Sequence, residues 1–414
     1  MKSLVFERNM ARFAAARAAS FLGSGRGAGL GPLRLTEAEA PALPDEEWVR
    51  VTPRLSGICG SDLATVDGRT SRYFEDLVSF PFVPGHEVVG TTETGQRVVL
   101  EPVLGCEARA IEPRCPACAA GRVGNCERVA FGHLRPGLQT GFCAGIGGGW
   151  SDAGLVAHPS QLHPVPDELD DEAAVTVEPV ACAVHAVLAA GLRDGETVAV
   201  LGAGTLGLAA VASLSHLAKT GRIPEPTHLV VGARYPHQRQ LAAELGATDV
   251  LPADQLPRAV RRLSGSLALG SPSTSGQRLT GGADVVLDCV GSPDSIAQAL
   301  DMVRPRGRIV LVGMPSAARV DLASLWHREI TLLGAYTYGT ETLEHHGPVR
   351  TFDLAFEVVR AADFGRLVSA TYPLDRFEEA LAHAGAAGRR GAVKVAFDLR
   401  HGGRRSAEKK GTPR

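Results

Sequence analysis

Four of the chain's eight cysteines, Cys106, Cys115, Cys118 and Cys126, crowd between positions 106 and 126. Eight cysteines in 414 residues are too few for a disulfide framework, and the local crowding points to a metal. Four thiolates in one loop suit a closed tetrahedral zinc, which stabilises a lobe rather than reacting. A second group is dispersed: GICGSD places Cys59 in a turn, and PGHEVVG places His86 and Glu87 just before a strand. The 27 residues from Cys59 to His86 exclude a shared helix, so a common metal must be assembled by the fold. A third group is Gly202, Gly204 and Gly207 in VAVLGAGTLGLAAV, a G-x-G-x-x-G whose last variable positions, Thr205 and Leu206, open an Ala-rich helix. Glycines there permit a tight turn and close backbone approach, so that a dinucleotide pyrophosphate can sit on the helix N-terminus. An acidic residue ending the next strand would bind the ribose 2′-hydroxyl of NAD, but HLVVGAR ends in Ala233 and Arg234. A guanidinium suits a 2′-phosphate, and His237 or Arg239 could add charge, so the pattern favours NADP(H) over NAD(H).

These groups need two kinds of scaffold. From Trp48 to about Leu169, short β-rich runs (EEWVRV, HEVVG, QRVVL) alternate with Gly/Pro turns, the pattern of an irregular all-β unit. Near Asp170 the period changes, and helical segments alternate with buried apolar strands (TVAVLGAG, HLVVGA, ADVVLDCVG, GRIVLVG). That is a doubly wound parallel sheet with crossover helices. After about Tyr338 the alternation ends, and AVKVAFDL is expected to return to the first domain as a last strand. The Gly/Ser-rich stretch Ser264 to Gly282 reads as a surface loop, and HGGRRSAEKKGTPR, nearly without apolar residues, as a disordered tail. A net charge of -2 offers no positive field for nucleic acid or anionic lipid. No apolar run reaches the roughly 18–20 residues that cross a bilayer. A soluble, cytoplasmic protein is expected. The Ala/Arg-rich stretch Met10 to Ala19 could pass for a transit peptide, but it follows MKSLVFE, which reads as a first strand and carries Glu7.

In order and spacing, these motifs resemble the zinc-containing medium-chain dehydrogenase/reductase family, which includes alcohol, sorbitol, threonine and glucose dehydrogenases. The resemblance runs from MKSLVFE to VKVAFDL. It implies an α/β architecture with two domains and a tail. A GroES-like irregular β-barrel catalytic domain would cover 1–185 and be completed by 346–398; a Rossmann dinucleotide-binding domain would cover 186–345, and 399–414 would form the tail. Cys59 and His86 would be two ligands of a catalytic zinc, a Cys₂His-type site in alcohol dehydrogenase. For the third ligand, Glu178 matches the sorbitol and glucose branches and Cys182 the yeast-type alcohol dehydrogenases, with Glu178 preferred. Glu87 would stand near the metal, Asp62 would orient His86 and raise its basicity, and Ser61 would accept the substrate proton. Ala64 departs from the pattern, since many relatives carry histidine there to pass the proton on. The family's structural zinc loop reads C-x2-C-x2-C-x7-C; here the last three cysteines keep that spacing, and CEARAIEPRC reads as a six-residue insertion with Cys106 still a ligand. Val290, Gly291, Gly313 and Lys394 match cofactor-contact positions. Cys143 and Cys289 would serve packing.

The implied activity is hydride transfer between a small alcohol or polyol, or an aldehyde or ketone, and NADP(H) or NAD(H), by a homodimer or homotetramer without nucleic-acid or membrane partners. Two alternatives are a zinc-free quinone or enoyl reductase, which would normally lack Cys59, His86 and the four-cysteine loop, and a non-catalytic NADP-binding structural or sensor protein that keeps zinc only for stability.

Overall fold

The computed structural model describes residues 1–270, 277–343 and 347–400. The chain divides into two compact units, Met1–Glu178 with the stretch from Asp363 onward, and Pro179–Ala362. The expected boundaries at 185 and 346 therefore move. Helix Thr351–Ala361 stays with the second unit because Glu357 on it pairs with His216 and Arg222, and Thr351 bonds Gly339 and Glu341.

The first unit is built on a seven-stranded sheet in the order Val368–Tyr372, Lys394–Asp398, Val49–Gly57, Val88–Thr92, Arg97–Leu100, Leu162–Pro164, with Leu155–Ala157 also on Val49–Gly57. The long strand Val49–Gly57 changes partners part-way. Its first half pairs with Leu155–Ala157 and its second with Lys394–Asp398, while the ladder to Val88–Thr92 slips between Pro53 and Leu55. Proline has no N–H to continue a ladder, so the strand bends there and the sheet curls towards a barrel. The last strand does return to this unit, as its sequence suggests. It continues further than expected: Leu399 is buried and bonds Arg54 O, and Arg400 pairs with Asp398, Asp171 and Glu172. Positions 401–414 of the expected tail lie outside the described residues. Helix Met10–Ala19, N-capped by Asn9, sits between the paired strands Lys2–Phe6 and Leu33–Glu37.

The second unit is a six-stranded parallel sheet in the order Asp249–Leu251, His228–Gly232, Thr197–Leu201, Ala283–Asp288, Val303–Leu311, Thr331–Gly334. That order is 3-2-1-4-5-6, a doubly wound Rossmann sheet whose switch point lies between Thr197–Leu201 and Ala283–Asp288. The central strands are apolar on both faces because helices cover both, as Val198, Ala199, Val200, Val285, Val286 and Leu287 show by complete burial. Part of the Ser264–Gly282 insertion is regular: Ala268–Gly270 pairs antiparallel with Gln277–Leu279, and 271–276 lie outside the described residues.

Candidate active site

Cys59 leaves the end of strand Val49–Gly57 and N-caps helix Gly60–Val66, where its backbone N–H donates to Asp62 Oδ2 at 2.9 Å. Ser61, half-buried, is the second residue of that helix. His86 follows Gly85, whose φ of +96° and contacts admit only glycine: a Cβ there would lie 2.4 Å from the Trp150 ring. The Gly149 and Trp150 N–H groups donate to Gly85 O and Pro84 O, which locks the turn. The result is that ligand atoms of Cys59, His86 and Glu87 all lie within 4.8 Å of one another.

The electrostatics of this cluster fit a divalent cation. Asp62, His86 and Glu87 are buried, and the Glu87 carboxylate meets the buried ammonium of Lys394, which also donates to Ile58 O at 3.3 Å. Burial alone would lower the Lys394 pKa, but the charges of Glu87, Cys59 and Glu178 outweigh it and raise it. Three buried carboxylates, Asp62, Glu87 and Glu178, thus gather where only Lys394 and the His86 imidazole can offset them. Uncompensated buried charge is strongly unfavourable, and a dication on the open donor atoms would remove the surplus. His86 Nδ1 lies 3.4 Å from Asp62 Oδ1, and neither atom has a hydrogen-bond partner, so Nδ1 faces Asp62 and Nε2 is left for a metal. Burial opposes the charged imidazole, yet Asp62 and Cys59 raise the His86 pKa well above its ordinary value. Glu178, buried in the first unit, lies on helix Val177–Ala189. Cys182, one turn later, belongs to the second unit.

The four-cysteine group is assembled as a second ligand set, with all four sulfurs buried and free of disulfides. Each sulfur receives a backbone N–H: Cys106 from Cys115, Cys115 from Cys118, Cys118 from Cys106 and Cys126 from Arg128, at 3.4 to 3.5 Å. Cys106 Sγ and Cys126 Sγ are 3.7 Å apart. With zinc–thiolate bonds of about 2.3 Å, a tetrahedral edge is about 3.8 Å. Burial pushes the Cys115 thiol up, but backbone N–H groups of Cys118 and Glu127 bring it down to about 7; burial drives Cys118 up and Cys126 to about 11. Four thiolates in this space require a cation, and the donor set fits zinc.

In the second unit the glycine loop has the geometry a pyrophosphate needs. A Cβ on Gly207 would lie 1.9 Å from Gly202 O, and one on Gly202 (φ +87°) 2.6 Å from Val290 Cγ2, whereas Gly204, which N-caps helix Thr205–Lys219, opens onto free space. Thr205 and Leu206 form the first turn of that helix. Asp288 Oδ1 accepts the Val290 and Gly291 N–H groups at 3.0 Å, and Gly313 packs against Val290 and Gly291. Ala233 is buried at the end of strand His228–Gly232, and Arg234 beyond it is exposed with no ion-pair partner among the described residues. Arg239 Nη1 donates to Ala233 O and Arg234 O at 3.2 and 3.1 Å, which braces this turn and keeps its guanidinium beside it. Lys394, on the strand that returns to the first unit, sets its ammonium against Glu87.

Two residues had no reading from sequence. Arg109, inside the six-residue insertion, is fully buried and donates to five backbone carbonyls. Phe142 lies beside His86, with ring centroids 5.9 Å apart. An arginine in an insertion that keeps its zinc loop intact was a usable signal for the first; no local pattern marks the second.

Comparison with known proteins places both units of the chain in a family. Residues 45–167 match the model of the alcohol dehydrogenase GroES-like domain, and residues 227–349 that of zinc-binding dehydrogenases. The sorbitol dehydrogenase of Bacillus subtilis is 27% identical, with 85% of this chain and 91% of that protein covered. The L-idonate 5-dehydrogenase of Vitis vinifera is 27% identical, with 90% and 93% covered. Among solved structures, a zinc-binding dehydrogenase from Sinorhizobium meliloti bound to NADP superimposes with a TM-score of 0.62 at 25% identity, covering 88% of this chain and 95% of that one.

Proposed function

Because the chain belongs to the zinc-containing medium-chain dehydrogenase/reductase family and is an enzyme of its alcohol dehydrogenase type, we propose that it transfers hydride between a small alcohol or polyol and NADP(H), or runs the reverse reduction of an aldehyde or ketone. In the oxidative direction the carbinol C–H bond breaks with its electron pair, which reduces the nicotinamide, and the O–H proton leaves to solvent. The products are a carbonyl compound, NADPH and a proton. The observation that carries this reading is the convergence of the ligand atoms of Cys59, His86 and Glu87 within 4.8 Å of one another.

Cys59 and His86 would hold a catalytic zinc with Glu178 as third ligand, since Glu178 lies in the same unit and acts electrostatically on the same Lys394. When bound, that ion supplies Lewis-acid polarisation of a substrate oxygen at a vacant coordination position. Asp62 orients His86 through Nδ1. Lys394 holds Glu87 and limits the negative charge around the ligands. Ser61 receives the substrate proton at its hydroxyl, and with Ala64 in place of a histidine, water takes it onward. Cys106, Cys115, Cys118 and Cys126 would hold a structural zinc. Gly202, Gly204 and Gly207 would seat the pyrophosphate, and Arg234 would select the 2′-phosphate. Eight free thiols support a reducing, cytoplasmic setting. The apolar edge strand Thr331–Gly334 and Trp326, 82% exposed, support assembly into a homodimer or homotetramer.

The test is a panel of alcohols, polyols, aldehydes and ketones assayed with NADP(H) and NAD(H) in parallel on protein of measured metal content. Two zinc ions per chain and turnover that prefers NADP(H) are expected. Undiminished turnover after zinc is stripped overturns the metal reading, and equal or better rates with NAD overturn the role of Arg234.

A further inference from the structure

The wall beside the candidate zinc ligands is aromatic. Phe142 lies with its ring centroid 5.9 Å from that of His86, the two planes tilted by 39°. Behind it Phe82 is almost wholly buried, 5.4 Å from Phe142, and Phe80 follows 5.4 Å from Phe82. Phe82 in turn stacks on Phe6 at 5.1 Å, so the row is backed by the core of the first unit. Phe142 and Phe80, by contrast, are only partly buried, as is Leu63 on the helix that carries Ser61. Phe80, with Val78 and Pro81, forms the apolar part of an open groove of about 630 Å³ whose remaining lining, Glu7, Arg8, Glu75, Asp76 and Ser79, is charged or polar. An aromatic row therefore runs from the imidazole of His86 through Phe142 into the core at Phe82 and on to Phe80.

Phe142 is also held rigidly. Its carbonyl accepts from Ser79 N at 3.4 Å, its N–H donates to Gln139 O at 3.1 Å, and Ala144 N donates to Ser79 Oγ at 2.9 Å. On its other side Gly141 packs so near the turn before His86 that a Cβ on it would lie 3.3 Å from the Gly85 backbone. The loop that carries Phe142 thus packs against the turn that carries His86, with its backbone tied to Ser79 and Gln139.

We propose that Phe142, backed by Phe82, is the specificity-determining wall of the substrate site, and that this enzyme prefers alcohols whose carbinol carbon bears an aryl or bulky alkyl group over polyols. This deepens the function proposed above and rests on it. A substrate whose oxygen is held at the His86 cluster places its substituent within reach of Phe142. An aryl group gains aromatic contact there. A polyol sets a hydroxyl against a surface with no donor or acceptor, and desolvates it without a partner. A hydrophobic pocket discriminates by about a hundredfold against an added hydroxyl.

The experiment uses zinc-loaded full-length enzyme with NADP, comparing 1-phenylethanol with xylitol in the wild type, Phe142→Leu and Phe142→Ala. Calorimetric binding of benzamide, an unreactive aryl carbonyl compound, is measured in the presence of NADPH. We expect kcat/KM for 1-phenylethanol to exceed that for xylitol by about a hundredfold. Phe142→Ala should lower the aryl value and the benzamide affinity by about tenfold or more and leave xylitol within about twofold, with Phe142→Leu between. A wild type that prefers xylitol, or a Phe142→Ala variant that loses both substrates equally, overturns the proposal, as does wild-type enzyme that turns over alcohols but binds no benzamide. Benzamide binding that Phe142→Ala weakens, in an enzyme that oxidises neither alcohol, supports the wall and refutes the dehydrogenase reading instead.

Discussion

Replacing Arg109 by methionine should loosen the structural zinc lobe while leaving every cysteine in place. The guanidinium is wholly buried and has no carboxylate partner among the described residues. Instead Nε donates to Leu104 O at 3.0 Å and Nη2 to Gly137 O at 2.6 Å, both buried, while Nη1 reaches Phe131 O, Leu134 O and Arg135 O at 3.0, 3.4 and 3.2 Å. One side chain thereby ties the entry to the cysteine loop to the segment that leaves it. Hydrogen bonds to a charged group contribute about 1.5–3 kcal/mol each. The two short buried ones alone then amount to about 3–6 kcal/mol. Burial opposes this, since it lowers the Arg109 pKa and so disfavours its charge, and methionine would not bear that cost. A net loss of about 3 kcal/mol remains, because the orphaned carbonyls stay buried. For a unit of this size that corresponds to a fall of about 6–12 °C in the melting of the first unit. Differential scanning calorimetry reads the shift, and release of zinc to a chromogenic chelator reads the lobe, which should yield its single ion much faster. Arg109→Lys keeps the charge without the planar fork and should recover only part of the loss. If Arg109→Met melts within about 2 °C of the wild type and releases zinc at the same rate, the five bonds do not hold the lobe and the reasoning fails.

Cys118→Ser should reduce bound zinc from two ions per chain to one and lower stability by several kcal/mol, since folding energy of such a lobe comes from its metal; elemental analysis and calorimetry check both. Arg234→Asp should cut kcat/KM for NADP by about a hundredfold and improve that for NAD, because a bidentate guanidinium–phosphate contact becomes a like-charge repulsion; parallel steady-state kinetics decide it. Burial would raise the Glu357 carboxyl pKa, but Arg222 and His216 outweigh it and hold it lower than usual. A depressed pKa contributes stability above the unfolded value, about 4.3, that is lost as pH falls through the folded value. The melting difference between wild type and Glu357→Gln should therefore be full above about pH 5 and shrink below about pH 4; a difference that stays constant through that range rules the pairing out.

Much of the protein is legible in sequence because its determinants are local. The G-x-G-x-x-G turn, the cysteine spacings after the insertion and the alternation of strands and helices are set by residues within a few positions of one another, and steric need for glycine or thiolate writes itself into the chain. The metal-ligand candidates Cys59 and His86 could be named in advance for the same reason, as each sits in its own short motif. What brings them together is not local. Lys394 meets Glu87 only because the final strand returns to pair with Val49–Gly57. Arg109 and Phe142 take their roles from backbone carbonyls and a ring far along the chain. The break between the units falls at Glu178, between two candidate ligands that helix periodicity alone treats as equivalent. Packing and buried charge are long-range quantities in sequence and short-range ones in space, so only the folded chain decides which group neutralises which.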